Sequence, residues 1–205
     1  KDITKIGSGN PGTMNMTREF GLKVGIITFF CDAFKGGIPA LISYFVYRKY
    51  CFAGTNVLVS DFTRYFCGVW VIIGHIFPVT MKFKGGKGIA STLGLFWINL
   101  GCENPWFLLI GFAAFWLIAF YIVATEWGSM GSLIGVAGFG LWQGVIFFLR
   151  YRSEPSNPYV IILFMLILAI NILTWVAHRK NIMRLLSGEE HHTSVKKMVH
   201  RKKKA

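Results

Sequence analysis

A pair of glycines flanked by lysines lies within residues 74–92, which read GHIFPVTMKFKGGKGIAST. Glycines let a backbone approach an anion closely and turn its N–H groups toward it, and a helix that starts nearby adds partial positive charge. Residues 82–88 therefore combine ammonium groups with bare backbone N–H groups, which is the chemistry that holds a phosphate. The alternative is a loop whose lysines only favour the cytoplasmic side of a membrane.

Two further polar segments lie far from this loop in the sequence: residues 7–18, GSGNPGTMNMTR, and residues 178–190, HRKNIMRLLSGEE. The first is rich in residues that specify turns rather than a helix, and we interpret it as an ordered anion-binding turn, with a flexible linker as the alternative. Its formal match to GxGxxG does not indicate a dinucleotide site, because no strand precedes the glycines and Pro11 lies within the turn. Asn15 opens a formal glycosylation triplet, which we discount because a basic loop here is expected to face the cytoplasm.

The composition indicates an integral membrane protein. Of the 205 residues 54% are hydrophobic, and apolar runs of roughly 20 residues, enough to cross about 30 Å of hydrocarbon, recur along the chain. The formal charge of +13 does not indicate nucleic acid, because nine of the 22 basic residues follow His178 and the rest punctuate apolar runs. Such residues favour the cytoplasmic side and anionic lipid. Residues 1–190 are predicted to form one membrane domain and residues 191–205 a basic, disordered cytoplasmic tail.

The predicted fold is an all-α bundle of about six transmembrane helices. Asp32 and Lys35 are expected to pair on one face of the first span, which we expect to be broken or kinked near residues 36–39. His75 is interpreted as a hydrogen bonder in helix packing. Residues 89–100 are too short to cross alone unless the glycine-rich stretch before them extends the helix. The predicted spans are residues 20–47, 65–81, 89–100, 105–124, 133–149 and 158–177.

Six crossings place the three polar segments and a small-residue turn at residues 129–132 on the same side of the membrane, which the basic loops assign to the cytoplasm. The connections on the other side are predicted at residues 48–64, 101–104 and 150–157. The first and third of these carry arginines and a lysine, which opposes the charge rule.

Taken together, GSGNPGTMNMTR, GHIFPVTMKFKGGKG and HRKNIMRLLSGEE resemble the three signature motifs of the bacterial acyl-phosphate:glycerol-3-phosphate acyltransferase family. The resemblance covers nearly the whole chain in order and spacing. It implies a seven-span enzyme of the bacterial inner membrane with a site that faces the cytoplasm, so the first span would be missing here. It also implies transfer of a fatty acyl group from acyl phosphate to glycerol 3-phosphate, giving lysophosphatidate and phosphate. The family does not use acyl-CoA or acyl carrier protein as the donor.

The resemblance also assigns site residues. The positions matched to residues needed for activity are Ser8, Arg18, Lys87, His178 and Asn181. The positions matched to substrate contacts, or to the turns that shape them, are Gly9, Asn10, Gly12, Lys84, Gly85, Gly86 and Ser132. Gly188 and Glu190 match structural positions. Residues 12–15 read GTMN where the family usually has GATN, which leaves the local packing of the first motif an open question.

The implied chemistry requires no metal or cofactor. An acyl phosphate is already activated, so the protein has to hold two anions, orient a hydroxyl and stabilise developing charge. We hypothesise that Arg18, Lys87 and the glycine N–H groups neutralise the phosphates, and that His178 and Asn181 position the attacking hydroxyl. The proton acceptor is either His178 or the phosphate of the substrate itself. The expected partners are the two substrates, membrane lipid and, functionally, the enzyme that makes acyl phosphate. The alternative function is a small transporter for an anionic solute.

Overall fold

The computed structural model describes residues 2–190, so the predicted tail at residues 191–205 lies outside the described residues. The described chain is helical, with one isolated bridge between Cys51 and Leu58. The α-helices are α1 Thr13–Phe20, α2 Leu22–Tyr47, α3 Val59–Ile76, α4 Ile89–Glu103, α5 Trp106–Thr125, α6 Gly128–Arg150, α7 Pro158–Ala177 and α8 Arg179–Leu186.

The short helix α4 is the centre of the bundle. Five helices, α2, α3, α5, α6 and α7, are long and apolar enough to cross a membrane. The α4 helix has 15 residues, or about 22 Å at the usual rise per residue, and it contacts all five. Its residues Leu95, Phe96 and Leu100 are fully buried. The prediction of an all-α membrane bundle is confirmed, and the segment that was predicted to be short is enclosed by the others.

Helices α2 and α4 approach each other through glycines. A Cβ atom added at Gly36 would lie 2.0 Å from the carbonyl oxygen of Ser91, and one added at Gly94 would lie 2.2 Å from that of Ala33. Small residues at such crossings let helices in a membrane pack closely. A break at residues 36–39 is wrong, because α2 is one continuous helix in which Gly36 and Gly37 face α4, while a kink at Pro39 stays a prediction.

The predicted pair on α2 is present. Lys35 Nζ lies 2.6 Å from Asp32 Oδ1, one helical turn away. The carboxylate is mostly buried and the ammonium group is less so, which lets the lysine reach toward water while it neutralises the carboxylate.

Helix α3 begins at Val59 rather than at residue 65, and this changes the environment of Arg64. Arg64 was predicted to lie in a polar connection, but it is 1% exposed within the helix. Its Nη2 atom lies 2.6 Å from both Asp61 Oδ1 and Glu103 Oε1. The charges within this segment suggested a loop, but the buried carboxylates satisfy the guanidinium and allow the helix to continue.

Arg150 completes a cluster of four ionised side chains, which we call the ion cluster: Asp61, Arg64, Glu103 and Arg150. Arg150 Nη1 lies 2.6 Å from Asp61 Oδ2, and its Nη2 contacts Glu103. The hydroxyl of Tyr151 donates to Asp61 Oδ2 at 2.6 Å. The cluster joins α3, α4 and α6 at one end of the bundle. The loop of residues 82–88 between α3 and α4, which we call the lysine-glycine loop, lies at the other end. Arg64 and Arg150, which opposed the rule that basic residues favour the cytoplasmic side, are therefore paired with carboxylates.

Replacing Arg64 with leucine is expected to lower the free energy of unfolding by about 3–5 kcal/mol, because it leaves two buried carboxylates with one arginine between them. Thermal unfolding of the purified protein in detergent measures the change. Arg152→Leu, at an exposed arginine just beyond α6, is the control and should leave the transition in place. Equal transitions for the two variants would contradict a stabilising role for the ion cluster.

Other helix boundaries also differ from the prediction, and α3 ends at Ile76 rather than at residue 81. Helix α4 continues to Glu103, so the predicted turn at residues 101–104 is reduced to its end. Helix α6 begins at Gly128 rather than at residue 133. A Cβ added at Gly131 would lie 2.4 Å from the side chain of Ile122, so this small residue serves packing against α5. The pattern of small residues resembled a loop, but here it allows close helix contact.

Candidate active site

One end of the bundle brings together the polar segments that are far apart in the sequence. Lys87, from the lysine-glycine loop between α3 and α4, bonds Asn181 on α8 at 2.5 Å. Ser129, at the start of α6, donates to Glu190, beyond α8, also at 2.5 Å. The N-terminal turn reaches the same end, where Pro11 lines a small cavity together with the glycine pair of the loop.

The N-terminal turn is braced by two asparagines. Gly12 N–H donates to Asn10 Oδ1 at 2.8 Å, and Ser8 N–H donates to Asn15 Oδ1 at 3.0 Å. The amide of Asn15 also donates to the Ile6 carbonyl at 3.1 Å. Asn15 is 3% exposed, so one buried side chain closes the turn from the helix that follows it.

The prediction of a turn through residue 18 is correct only for its first part. Gly9 adopts the left-handed conformation with φ of 68°, which glycine accommodates without strain. From Thr13 onward the chain is helical, because the carbonyl of Gly12 accepts the first helical N–H groups. Within residues 12–15, which read GTMN, Asn15 is buried and hydrogen-bonded, whereas the hydroxyl of Thr13 is buried without a hydrogen-bond partner in the described part of the chain. Ser8, on the turn, and Arg18, in the last turn of α1, are exposed.

The glycine pair has a different role from the one predicted. Gly85 N–H donates to the Ile76 carbonyl and Gly86 N–H donates to the His75 carbonyl, both at 3.1 Å. The expectation that these N–H groups are bare is therefore wrong, because they satisfy carbonyls at the C-terminal end of α3. Gly88, with φ of 81°, then starts α4, whose first turn directs partial positive charge toward this end of the bundle.

Lys87 links the three polar segments electrostatically. Burial lowers its pKa below the usual value, Glu190 opposes that change, and the positive charges of Arg184 and Arg18 lower the pKa further. Arg18 comes from the first segment and Arg184 from the third, so their fields overlap at this ammonium group. A positive field of this kind attracts an anion.

Asn181 and Glu190 form the hydrogen-bonded network that holds Lys87. Asn181 Nδ2 donates to Ser129 Oγ and to Glu190 Oε1, each at 2.7 Å, and Arg184 Nε donates to Glu190 Oε2 at 2.8 Å. Burial alone would raise the pKa of Glu190, but the bonds from Ser129, Asn181 and Arg184 outweigh it and lower the pKa below its usual value. Glu190 is therefore an ionised acceptor at neutral pH, which fixes the amide of Asn181 with its oxygen toward Lys87.

His178 is a neutral, oriented imidazole. It is 4% exposed, and its Nδ1 lies 2.8 Å from the Thr174 carbonyl oxygen. Since a carbonyl only accepts hydrogen bonds, Nδ1 carries the proton, and Nε2 of the neutral ring is an acceptor. Burial lowers the pKa of His178 to about 4; the Thr174 bond opposes this change and the charge of Lys87 adds to it.

The remaining predicted site residues lie at the edge of this network. Lys84 is exposed on the loop. Ser132 donates to the Gly128 carbonyl of its own helix at 2.8 Å, whereas Ser129 is the hydroxyl that joins the network. Gly188 has φ of 74° and ends α8, which fits the structural role that the sequence predicted.

The family model for glycerol-3-phosphate acyltransferases matches residues 1–188. The chain belongs to this family. A glycerol-3-phosphate acyltransferase of Thermotoga petrophila is 35% identical over 92% of this chain and 81% of its own length, and one of Aquifex aeolicus is 36% identical over 93% and 84%. The crystal structure of PlsY, an integral membrane glycerol 3-phosphate acyltransferase, in its glycerol 3-phosphate form superimposes with a TM-score of 0.69 at 29% identity, over 94% of this chain and 82% of that one.

Within this member of the glycerol-3-phosphate acyltransferase family, sequence reasoning missed three residues of the site: Asn15, Ser129 and Arg184. Asn15 opens a glycosylation triplet and ends the GTMN segment, and neither pattern predicts its bond with the Ser8 N–H group. Ser129 lies one helical turn before Ser132. If residues 129–132 had been predicted as helical, Ser129 would have been as good a candidate as Ser132. Arg184 was not distinguished from other basic residues near the third motif. Its bond to Glu190 depends on the chain folding back after α8, which sequence spacing does not reveal.

Proposed function

We propose that this protein transfers a fatty acyl group from acyl phosphate to the hydroxyl of glycerol 3-phosphate, releasing lysophosphatidate and inorganic phosphate. The observation that carries the proposal is the contact of Lys87 with Asn181, which joins the second and third motifs in the positive field of Arg18. Family membership supports the acceptor, and the positive site beside a lipid-exposed groove supports an acyl donor that also carries a phosphate. The site would face the cytoplasm from the bacterial inner membrane, where the enzyme that makes acyl phosphate would supply the donor.

The residues of the site would have two roles: to bind the phosphate groups and to orient the attacking hydroxyl. Lys87, Arg18 and the N-terminal end of α4 would hold the two phosphate groups, which the two substrates bring into one small volume. Asn181 and His178 would orient the glycerol hydroxyl toward the acyl carbon. The oxygen–carbon bond then forms as the acyl–phosphate bond breaks, and phosphate leaves with the bond's electron pair. Because phosphate is a good leaving group, holding the reactants together supplies most of the acceleration.

The proton of the attacking hydroxyl passes more readily to substrate phosphate than to His178. A phosphate monoester has a second pKa of about 6, whereas the pKa of His178 is about 4. The phosphate dianion is thus the stronger base of the two. We therefore propose the substrate phosphate as the proton acceptor, with His178 Nε2 as a hydrogen-bond acceptor that helps to orient glycerol 3-phosphate.

An apolar groove between α6 and α7 is the proposed place for the acyl chain. It has a volume of about 490 Å³ and is lined by side chains that include Leu141, Phe164, Leu168 and Trp175. On α7 the lining extends to Val176, two residues before His178, so the groove would lead from the site into the lipid region. Each CH₂ buried there contributes about 0.8 kcal/mol.

The pH dependence of kcat/KM is expected to contain no inflection from His178 between about pH 5.5 and 8, because its pKa of about 4 keeps the ring neutral throughout. The rate should instead rise with pH near about 6, as substrate phosphate becomes a dianion. Initial rates of phosphate release with saturating acyl phosphate measure the profile. His178→Gln should lower the rate without moving this limb; a limb that disappears in the variant would assign the proton to His178.

Phosphate release from palmitoyl phosphate with glycerol 3-phosphate tests the proposed function. The purified protein in detergent should release phosphate and form lysophosphatidate with this donor, and should do neither with palmitoyl-CoA. Absence of turnover with palmitoyl phosphate would contradict the proposal. Because the assay has no sealed compartment, a transporter would give no signal.

A further inference from the structure

A second polar cluster lies next to the glycine pair, Gly85 and Gly86, and has no role in the reaction described so far. It consists of Asp32, Lys35, His75 and Ser91. His75, 8% exposed at its side chain, has Nδ1 3.6 Å from Asp32 Oδ1 and 3.5 Å from Ser91 Oγ. The same Asp32 oxygen bonds Lys35 at 2.6 Å. Asp32, Lys35 and His75 line a cavity of about 150 Å³ together with Gly85 and Gly86. On one side the imidazole thus lies against groups on α2 and α4.

The other side of the ring lies against Gly86. A Cβ atom added at Gly86 would lie 2.0 Å from His75 Nε2 and 2.7 Å from Cε1, distances that no side chain tolerates. The main chain makes a second connection at the same point, since Gly86 N–H donates to the His75 carbonyl. The position of Gly86 is therefore determined by both the ring and the backbone of one histidine.

Gly85 offers an informative contrast. A Cβ added there would lie 2.1 Å from the His75 carbonyl oxygen and 2.4 Å from Pro78 Cδ, so the obstacle is mainly backbone. Removing the imidazole would leave this obstacle in place. The two adjacent glycines are thus required for different reasons, and only one of the reasons is the histidine side chain.

We propose that His75 is a positioning residue: its ring, which lies against Asp32 and Ser91, fills the space beside Gly86 and thereby fixes the backbone that presents Lys87 to Asn181. The proposal rests on the proposed function for the role of Lys87. It assigns the need for glycine at position 86 to an internal contact with His75 rather than to the approach of a phosphate.

A double-mutant cycle between His75 and Gly86 tests the proposal. Gly86→Ala should lower kcat/KM for glycerol 3-phosphate by about 10²-fold or more, and His75→Ala by about tenfold, mainly through a higher KM, as expected when a clash or a lost support moves a group that binds substrate. Combining the two should recover at least about tenfold over Gly86→Ala, because the clashing ring is gone. Adding His75→Ala to Gly85→Ala should recover nothing. Gly74→Ala, where an added Cβ meets nothing within 4 Å, is the glycine control.

A double variant no better than Gly86→Ala would overturn the proposal and return Gly86 to substrate contact, and a fully active His75→Ala would overturn it as well. Thermal unfolding of the same proteins gives a second readout: the cycle should show the same rescue in unfolding temperature. His75→Asn replaces His75→Ala if the alanine variant does not fold. If the wild-type protein releases no phosphate, the proposed function fails, while the unfolding cycle still decides whether the ring and Gly86 are coupled.

Discussion

The Lys87→Ala variant is expected to lose about 10²–10³-fold in kcat/KM for glycerol 3-phosphate, the scale of removing one preorganised charged or donor group from an active site. The Lys87 ammonium group bonds Asn181 and lies within the fields of Arg18 and Arg184, so its loss removes the cation that the three motifs share. Steady-state phosphate release with palmitoyl phosphate saturating and glycerol 3-phosphate varied measures the effect.

Lys82→Ala is the matched control for this variant. Lys82 is exposed on the same loop and carries the same charge, so a general loss of positive charge would affect both variants alike. We expect wild-type kinetics for Lys82→Ala. Equal losses in both variants would assign the effect to the charge of the loop, and wild-type turnover by Lys87→Ala would remove Lys87 from the site.

Replacing Glu190 with alanine is expected to lower activity by at least about 10²-fold. Glu190 accepts hydrogen bonds from Ser129, Asn181 and Arg184, and bonds to a charged group contribute about 1.5–3 kcal/mol each. Without the carboxylate, the amide of Asn181 is free to rotate away from Lys87, and the charge of Arg184 lacks its partner. Activity and unfolding temperature should both be measured, because the carboxylate connects α6 to the segment after α8.

Glu189→Ala is the control, since Glu189 is the adjacent, exposed carboxylate of the same charge. It should retain activity and stability. If Glu190→Ala is folded and as active as Glu189→Ala, the network does not orient Asn181. Glu190 would then have only the structural role that the sequence predicts, and its hydrogen bonds would not contribute to the reaction.

The sequence was sufficient to predict the fold class and the family because both depend on local or linear information. Apolar runs fix the membrane helices, and the motifs keep their order along the chain. Pairs one helical turn apart were also accessible, and the Asp32–Lys35 pair is confirmed. The sequence could not reveal contacts between distant segments. The pair of Arg64 with Asp61 is also one helical turn apart, but its burial depends on Glu103 and Arg150, which lie on other helices, so Arg64 looked like a loop residue.

Glycines were the main source of error, because the same residue type can interrupt a helix, allow two helices to pack closely, or let a loop backbone bond the end of a helix. Gly36 was expected to break a helix and instead allows two helices to touch, while Gly85 and Gly86 were expected to present N–H groups to phosphate and instead satisfy the end of α3. A glycine in the sequence indicates that there is no room for a side chain at that position. Only the structure shows which neighbouring group occupies the space, as His75 does beside Gly86.

Three distant polar segments must meet at one face of the membrane to form the site, and cysteine labelling tests this most directly. Single cysteines at Ser8, Lys84 and Arg179, with a fourth at Arg152 on the opposite side, would be reacted with an impermeant maleimide in inside-out and right-side-out vesicles. The starting protein would have serine in place of Cys31, Cys51, Cys67 and Cys102. We predict that the first three react together in inside-out vesicles and that only Arg152→Cys reacts in right-side-out vesicles. Reaction of Ser8→Cys and Arg179→Cys from opposite faces would contradict the shared site.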